Sequence, residues 1–159
     1  MTRWRAFLLL MAGCLFAGCG PGVNLQQSAH VVDVTTGWFD AGMTPDGKNK
    51  LVPSITFKLK KNADVNLSSV SLNLTFTFAG DQEHTDDVYV QRVDFQGQDT
   101  APITVRTKWG YTADPPQTRA EMLQNSHFRD LDVQIFAKQS SAQWVELHRA
   151  HIAHQLLTQ

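Results

Sequence analysis

The sequence predicts an all-β domain in which about seven strands and one short helix form two packed sheets. Residues 51–60 and 70–78 alternate apolar and polar side chains with a period of two, as strands do when they bury one face. Further alternating stretches follow downstream, separated by turn residues such as Gly, Pro and Asp. Short strands with turn signals between them and almost no helix indicate a two-sheet sandwich.

The inward faces of these stretches predict the core. In residues 70–78 the apolar side chains face inward and Thr75 lies on the opposite face. Pro53 cannot donate to a strand ladder, so we expect an edge position or a bulge there. The core residues predicted from the inward phase are Ile55, Phe57, Leu59, Leu72, Leu74, Phe76, Ile103, Val105, Val133 and Ile135.

Turn chemistry sets the order of the early strands. Residues 30–40 predict the first strand, which returns as a hairpin through the turn at 45–47, Pro-Asp-Gly. The connection 61–69 is long for a tight hairpin and suits a crossing between two sheets. Residues 80–87 are predicted to be an acidic turn. The strand at 88–95 changes phase, which predicts a bulge near Gln91 and Arg92.

The second half of the chain predicts three more strands and one helix. Residues 103–109 alternate cleanly, and residues 119–124 predict a short helix because Thr118 and Glu121 have the spacing of a capping box. Residues 131–137 and 145–152 predict the last two strands. In the final strand the phase slips around Arg149 and Ala150, which indicates a second bulge.

The arrangement of strands is that of a sandwich of immunoglobulin type. Residues 57–81 followed by 89–105 also resemble the small immunoglobulin-like domains of FxLYD type found on bacterial lipoproteins, in which a strand, an Asn-containing loop and a strand ending in aromatics precede a turn. The run Phe-Thr-Phe-Ala-Gly-Asp at 76–81 lacks the Leu-Tyr-Asp of that motif. The resemblance implies a sandwich and no general catalytic activity.

The N-terminus has the pattern of a targeting segment. Arg3 and Arg5 precede a short apolar run at 6–15, which is too short to span a bilayer as a helix, since about 20 residues are needed. Small residues and a cysteine follow twice, ending at Cys14 and at Cys19. The segment resembles a bacterial lipoprotein signal, which implies cleavage before the cysteine and acylation of its sulfur. An ordinary secretory signal with incidental cysteines is the alternative.

Cys19 is the favoured lipidation site. It leaves an apolar region of the usual length and precedes the Gly-Pro-Gly break at 20–22, whereas Cys14 leaves too few residues for both apolar region and cleavage box. We therefore expect a signal peptide at 1–18, a tether at 19–29 and the β-sandwich domain at 30–159. No disulfide is expected in the mature chain, so the core must provide its stability.

The polar residues indicate no catalytic site. His148, His151 and His154 recur every three residues, but neither strand nor helix geometry makes three such imidazoles converge, so we expect solvated histidines and no metal. The acidic run 81–87 lacks the spacing of an EF-hand and is expected to be a solvated turn. There is no Gly-x-Ser-x-Gly elbow and no phosphate-binding loop. We expect neither enzyme activity nor a cofactor.

The most suggestive cluster for binding is Trp109-Gly110-Tyr111, because aromatics around a glycine at a loop mouth can form a platform. The alternative is that Trp109 ends a core strand and Tyr111 caps the edge. We name residues 109–127 the lid. Both flanking strands must return to the sandwich, so we expect Trp109, Tyr111 and Phe128 to lie near each other at its two ends. We also expect its outer surface, with Arg119 and Gln124, to meet a partner. In the competing interpretation Met122 and Leu123 are a buried stopper.

These observations predict a lipid-anchored, non-enzymatic protein of the cell envelope that binds a partner protein or supports an envelope assembly. The alternative is a periplasmic carrier or sensor of a small ligand or metal. The formal net charge of −1 gives no basic nucleic-acid surface. If the source has two membranes, Gly20 after the cysteine resembles the signal for the outer membrane.

Lipidation can be tested by two matched substitutions. Cys19→Ala should abolish membrane association and Cys14→Ala should leave it intact, as measured by membrane fractionation and mass of the N-terminal peptide. Several acyl chains on one cysteine suffice for a stable anchor, because each buried methylene contributes about 0.8 kcal/mol. The reverse pair of results would move the anchor to Cys14.

Overall fold

The computed structural model describes residues 23–157. The predicted signal peptide, the lipidation site Cys19 and its rival Cys14 lie outside these residues. Neither described helix has the length or hydropathy needed to cross a bilayer. In chain order the elements are α1 (Leu25–Ser28), β1 (Ala29–Met43), β2 (Asn49–Lys61), β3 (Ser69–Phe78), β4 (His84–Gln96), β5 (Asp99–Thr100), β6 (Ile103–Arg106), β7 (Tyr111–Ala113), α2 (Arg119–Leu123), β8 (Leu131–Lys138) and β9 (Val145–Ile152).

The predicted all-β class is confirmed. The described strands form one curled antiparallel sheet in the order β1-β2-β5-β4-β3-β8-β9, with β6 and β7 also paired to β2. Among the described strands, only the two-residue β5 pairs with both halves of this sheet, with β2 on one side and β4 on the other. Nine strands are described instead of about seven, because β5 and β7 were not predicted; the strand expected at 103–109 is β6, which ends at Arg106.

The first hairpin forms where the turn chemistry predicts it. Gly47 has a φ of 83°, a value that side chains disfavour, and the Thr44 amide donates to the Lys48 carbonyl at 2.8 Å. The register of β1 against β2 shifts between Val32 and Thr35, and Asp33 within that shift has a φ of 54°. The strand continues across this bulge and across a second register shift between Asp40 and Met43, so β1 extends beyond the predicted 30–40.

Pro53 lies inside a strand that has partners on both sides and pairs with β1 in continuous register, so neither the predicted edge position nor the predicted bulge is present. Its partner on β1 is Trp38, whose backbone N–H and C=O bond to Gln155 and Leu157 and therefore point away from β2. On the other side Pro53 faces the break between β6 and β7, where its carbonyl accepts from the Thr107 amide at 3.3 Å. The missing N–H of Pro53 therefore removes no ladder bond to β1, and it points to the side on which β6 has ended.

The predicted bulges are both present in β4 and β9. Val70 pairs with Val93 and Leu72 with Val90, so two residues of β4, Gln91 and Arg92, lie opposite one of β3, as predicted. The bulge of β9 lies at Leu147, because His148 pairs with Ile135 of β8 and Glu146 pairs with the next residue, Phe136. It was predicted at Arg149 and Ala150. The acidic turn is shorter than predicted, because residues 84–87 already belong to β4.

The predicted core residues are buried except Ile103, which is partly exposed. Leu25 of α1 is only 3% exposed and packs in the same core. Residues 25–29, which the sequence assigned to the tether, therefore pack as part of the folded domain. Thr75 is also buried, against expectation, because it lies on a central strand between Asp87 of β4 and Gln134 of β8.

Two neighbouring substitutions on β3 test the strand phase. Phe76→Ala should lower the free energy of unfolding by roughly 3–5 kcal/mol, because Phe76 is fully buried and its removal leaves a cavity. Thr75→Val keeps the side-chain shape and removes a buried hydroxyl that has no hydrogen-bond partner within the described residues. It should leave stability unchanged or raise it by about 1 kcal/mol. Chemical denaturation measures the free energy of unfolding of both variants. Equal losses in the two would contradict the predicted phase of β3.

Candidate functional site

The lid begins where the pairing of β2 changes from β6 to β7. Thr107, at this break, donates its hydroxyl to the Trp109 carbonyl at 2.6 Å. Further on, Thr118 and Glu121 form the predicted capping box: the Thr118 amide donates to Glu121 Oε2 at 2.6 Å, and the Glu121 amide donates to Thr118 Oγ1. The hydrogen bond from the Thr118 backbone lowers the pKa of Glu121 below its ordinary value. The short helix α2 is thus confirmed.

The inner side of the lid packs into the core. Met122 and Leu123 are buried, as the stopper interpretation expects. Asn49 of β2 donates its side-chain amide to the Gln117 carbonyl at 2.7 Å, and Arg119 Nε lies 3.0 Å from Asp40 Oδ2 of β1. The lid is therefore fixed to both strands of the first hairpin by polar contacts as well as by apolar packing.

Aromatic rings gather under the lid around Trp38, which is fully buried. The centroid of Trp38 lies 4.3 Å from Phe128 and 5.6 Å from Tyr111, and Tyr111 stacks on Phe128 at 4.2 Å. Trp109 lies 5.1 Å from Tyr111. The two ends of the lid therefore meet in one cluster, as expected from the return of both flanking strands, and such ring pairs add to the energy of burial.

The hydroxyl of Tyr111 ties the lid to the start of β8. It donates to the His127 carbonyl and accepts from the Arg129 amide, both at 3.2 Å. The Arg129 guanidinium binds both oxygens of Asp81, at 2.8 and 3.0 Å, and lies over the Phe78 ring at 4.6 Å. This pairing lowers the pKa of Asp81. Asp81 is therefore engaged in a structural ion pair and is not poised to bind calcium.

The four predicted surface residues do not form one continuous surface. Trp109 and Tyr111 are adjacent but half-buried in the aromatic cluster, and Arg119 is paired with Asp40. Gln124 is exposed. It lies on a groove between α2 and the chain after β9, whose other lining residues include Leu123, Phe128, His154 and Leu156.

A second aromatic pair, which sequence reasoning missed, is exposed on the outer face of the sheet. Tyr89 of β4 is 56% exposed and Trp144, just before β9, is 39% exposed, and their rings lie 6.2 Å apart at 83°. Lys138 Nζ lies 4.7 Å above the Trp144 ring. The available signal was the phase of Tyr89, which alternates with the inward residues Val88 and Val90 and must therefore face solvent.

Histidines and aspartates form a third feature, which we name the His–Asp cluster: Asp130, Asp132, His151 and His154. His151 Nδ1 lies 2.9 Å from Asp132 Oδ1, and its Nε2 lies 3.1 Å from Asp130 Oδ2. His154 Nε2 lies 3.0 Å from Asp130 Oδ1. The Asp132 carboxylate first, and then Asp130, raise the pKa of His151 despite some desolvation. His151 and His154 are exposed, as expected for solvated histidines, but each also faces a carboxylate that the sequence did not reveal.

This cluster is not arranged as a metal centre. Within residues 23–157 no three His, Cys, Asp or Glu side chains are placed so that they could hold a metal ion. The reason here is geometric: each ring nitrogen of His151 faces a different carboxylate. Each ring nitrogen can share a proton with its own carboxylate, and this arrangement suits hydrogen bonds better than a single metal ion bound by all the groups.

Comparison of the chain with models of known protein families, with curated protein sequences and with solved structures gives no match. The functional argument therefore rests on the lid, the Tyr89–Trp144 pair and the His–Asp cluster.

The role of the Tyr111 hydroxyl in holding the lid can be measured. Tyr111→Phe should lower the free energy of unfolding by about 0.5–1.5 kcal/mol, because two hydrogen bonds to the backbone at 127 and 129 are lost. Tyr89→Phe is the matched control, since that ring is largely exposed; it should stay within about 0.5 kcal/mol of wild type. Equal effects in urea denaturation would contradict the role of Tyr111.

Proposed function

We propose that this chain is a lipid-anchored protein of the cell envelope whose β domain binds a partner protein and catalyses no reaction. The anchor rests on the charged N-terminus, the short apolar run and Cys19. The binding function rests on the surface of the described domain. Its N-terminal helix α1 packs on β1 and β9, so a tether ending at residue 24 leads directly into the folded domain.

The Tyr89–Trp144 pair is the observation that carries partner binding. Tyr and Trp are enriched in the energetic centres of protein interfaces because they bury large apolar area with few rotatable bonds. Both rings share one face of the sheet, and the half-buried Phe136 lies in the same row of side chains as Tyr89. Lys138, above Trp144, adds a cation that can pair with an acidic group of a partner.

The lid is the rival binding surface. Its apolar residues Met122 and Leu123 face the core, and Arg119 is held by Asp40, so fewer groups remain to contact a partner. Gln124 is the predicted residue that stays exposed. These contacts favour a structural role for most of the lid.

The absence of catalysis is supported by how the histidines are used. A catalytic histidine needs one ring nitrogen to receive a proton from a nucleophile or water. Both nitrogens of His151 face carboxylates, so this histidine favours structural ion pairing.

A second candidate function is the binding of a small apolar ligand. The groove between α2 and the chain after β9 favours it, since Leu123, Phe128 and Leu156 offer apolar surface and Gln124 and His154 offer polar groups. Such a ligand would be retained through purification and identified by mass spectrometry of an organic extract. A bound ligand at a one-to-one ratio would favour this function over partner binding.

Site-directed photo-crosslinking in intact cells tests the binding surface. A photo-reactive amino acid in place of Tyr89 should give one adduct of discrete mass, because the side chain would lie inside the interface. The same amino acid in place of Thr104, an exposed residue of β6 on the other half of the sheet, is the matched control and should give none.

A third position separates the rival surfaces. An adduct from Gln124 with none from Tyr89 would move the interface to the lid. Adducts from neither position would remove the support for partner binding through either surface.

A further inference from the structure

The chain after β9 closes the fold against the first strand. We name residues 153–157 the C-terminal segment. The Trp38 amide donates to the Gln155 carbonyl at 2.7 Å, and the Leu157 amide donates to the Trp38 carbonyl at 2.9 Å. The segment lies so close to β1 that a Cβ on Gly37 would meet the Gln155 carbonyl at 2.7 Å. It also forms one wall of the groove, through His154 and Leu156.

The His–Asp cluster lies at the start of this segment and links it to β8. His154 belongs to the segment, and its ring packs edge-on against Phe128 at 5.0 Å. Asp130 faces both His151 and His154, and Asp132 fixes the other nitrogen of His151. On the β1 side, Thr36 donates its hydroxyl to the His151 carbonyl at 2.8 Å. The C-terminal segment is therefore joined through His154 to Asp130, the carboxylate that also faces His151.

The geometry of His151 requires two protons on its ring. A neutral imidazole has one N–H donor and one acceptor nitrogen, so it can satisfy only one of the two carboxylates. The other nitrogen would direct its lone pair at a carboxylate oxygen about 3 Å away, which is repulsive. The imidazolium donates from both nitrogens, and both contacts become charge-assisted hydrogen bonds.

No competing cation offsets the two carboxylates within the described residues. Arg149, on the same strand as His151, is paired with Glu146. Against β1, the contact of His151 is the neutral Thr36 hydroxyl. The groups that face the ring are thus Asp130, Asp132 and, beyond Asp130, His154.

We propose that the His–Asp cluster is a proton-dependent latch that holds the C-terminal segment against Trp38 and releases it when His151 loses a proton. Release removes one wall of the groove and frees the backbone N–H and C=O of Trp38. This device is independent of the proposed partner surface, which lies on the outer face of the sheet.

The direction of the pH dependence follows from the raised pKa of His151. Its pKa in the folded chain lies above the ordinary 6.5, so its contribution is complete below 6.5 and is lost as pH rises through the folded value. The latch is therefore closed in mildly acidic and open in alkaline conditions.

Amide hydrogen exchange by NMR tests the latch on the full folded domain. After correction for the intrinsic pH dependence of exchange, protection of the Trp38 and Leu157 amides should fall between about pH 5.5 and about pH 8.5, as His151 loses its proton. Protection of the Leu74 amide, in the central strand β3, should not change. The ring protons of His151 should titrate in the same range with a pKa above 6.5. A titration at or below that value would overturn the proposal.

Variants separate the latch from general loss of structure. Asp132→Asn keeps the side-chain shape and removes the charge, so it should lower the His151 pKa and shift the loss of protection to lower pH by the same amount. His151→Gln should give weak protection of Trp38 and Leu157 at every pH. His148→Gln, on the same strand but outside the cluster, should keep the wild-type profile. Unchanged pH dependence in His151→Gln would show that another group controls the segment.

Discussion

Trp38 is the residue on which the remaining structure depends, because it joins three distant parts of the chain at one point. Its ring contacts Phe128, Tyr111 and Trp109 at the two ends of the lid. Its backbone bonds the C-terminal segment, and this leaves Pro53 opposite it without a ladder bond to lose. A fully buried Trp contributes a large area of apolar burial. Trp38 therefore couples side-chain packing to closure of the curled sheet.

Closure of the sheet also determines which strand edges remain unpaired. The outer strands β1 and β9 approach each other, with the C-terminal segment and α1 between them. The unpaired stretch of β4 carries charged residues, including Asp87 and Arg92, and a bulge at Gln91 and Arg92. Charges and bulges on an edge disfavour pairing with another chain. The exposed aromatic pair lies instead on a face of the sheet. There, side chains and not backbone groups would contact a partner.

Local rules predicted much of this fold. The period-two pattern placed Ile55, Leu72 and Phe76 in the core, the phase slip located the bulge at Gln91 and Arg92, and the spacing of Thr118 and Glu121 located α2. Each of these signals lies within a few residues. The break between β6 and β7, and the burial of Thr75, depend on which strands become neighbours, and neighbours far apart in sequence leave no local pattern.

The candidate sites show the same division. The meeting of Trp109, Tyr111 and Phe128 was predictable, because the flanking strands must return to the same body. The His–Asp cluster was not predictable from the sequence, since Asp130 and His151 come together only when β8 pairs with β9. A bulge at Leu147, two residues before the predicted position, also changes which faces the final histidines share. Histidine spacing alone could not reveal their carboxylate partners.

The contact of α1 with β9 gives the domain a defined polarity. Gln26 donates to the Glu146 carbonyl, and Trp144 lies two residues before Glu146. The lid and the C-terminal segment instead lie toward the far end of β1, and at roughly 3.3 Å per residue a fifteen-residue strand spans tens of ångströms. In a chain anchored at Cys19, the short tether would place the Trp144 end next to the bilayer. The aromatic pair would then be accessible to molecules within the headgroup layer, while the lid would project into the aqueous space.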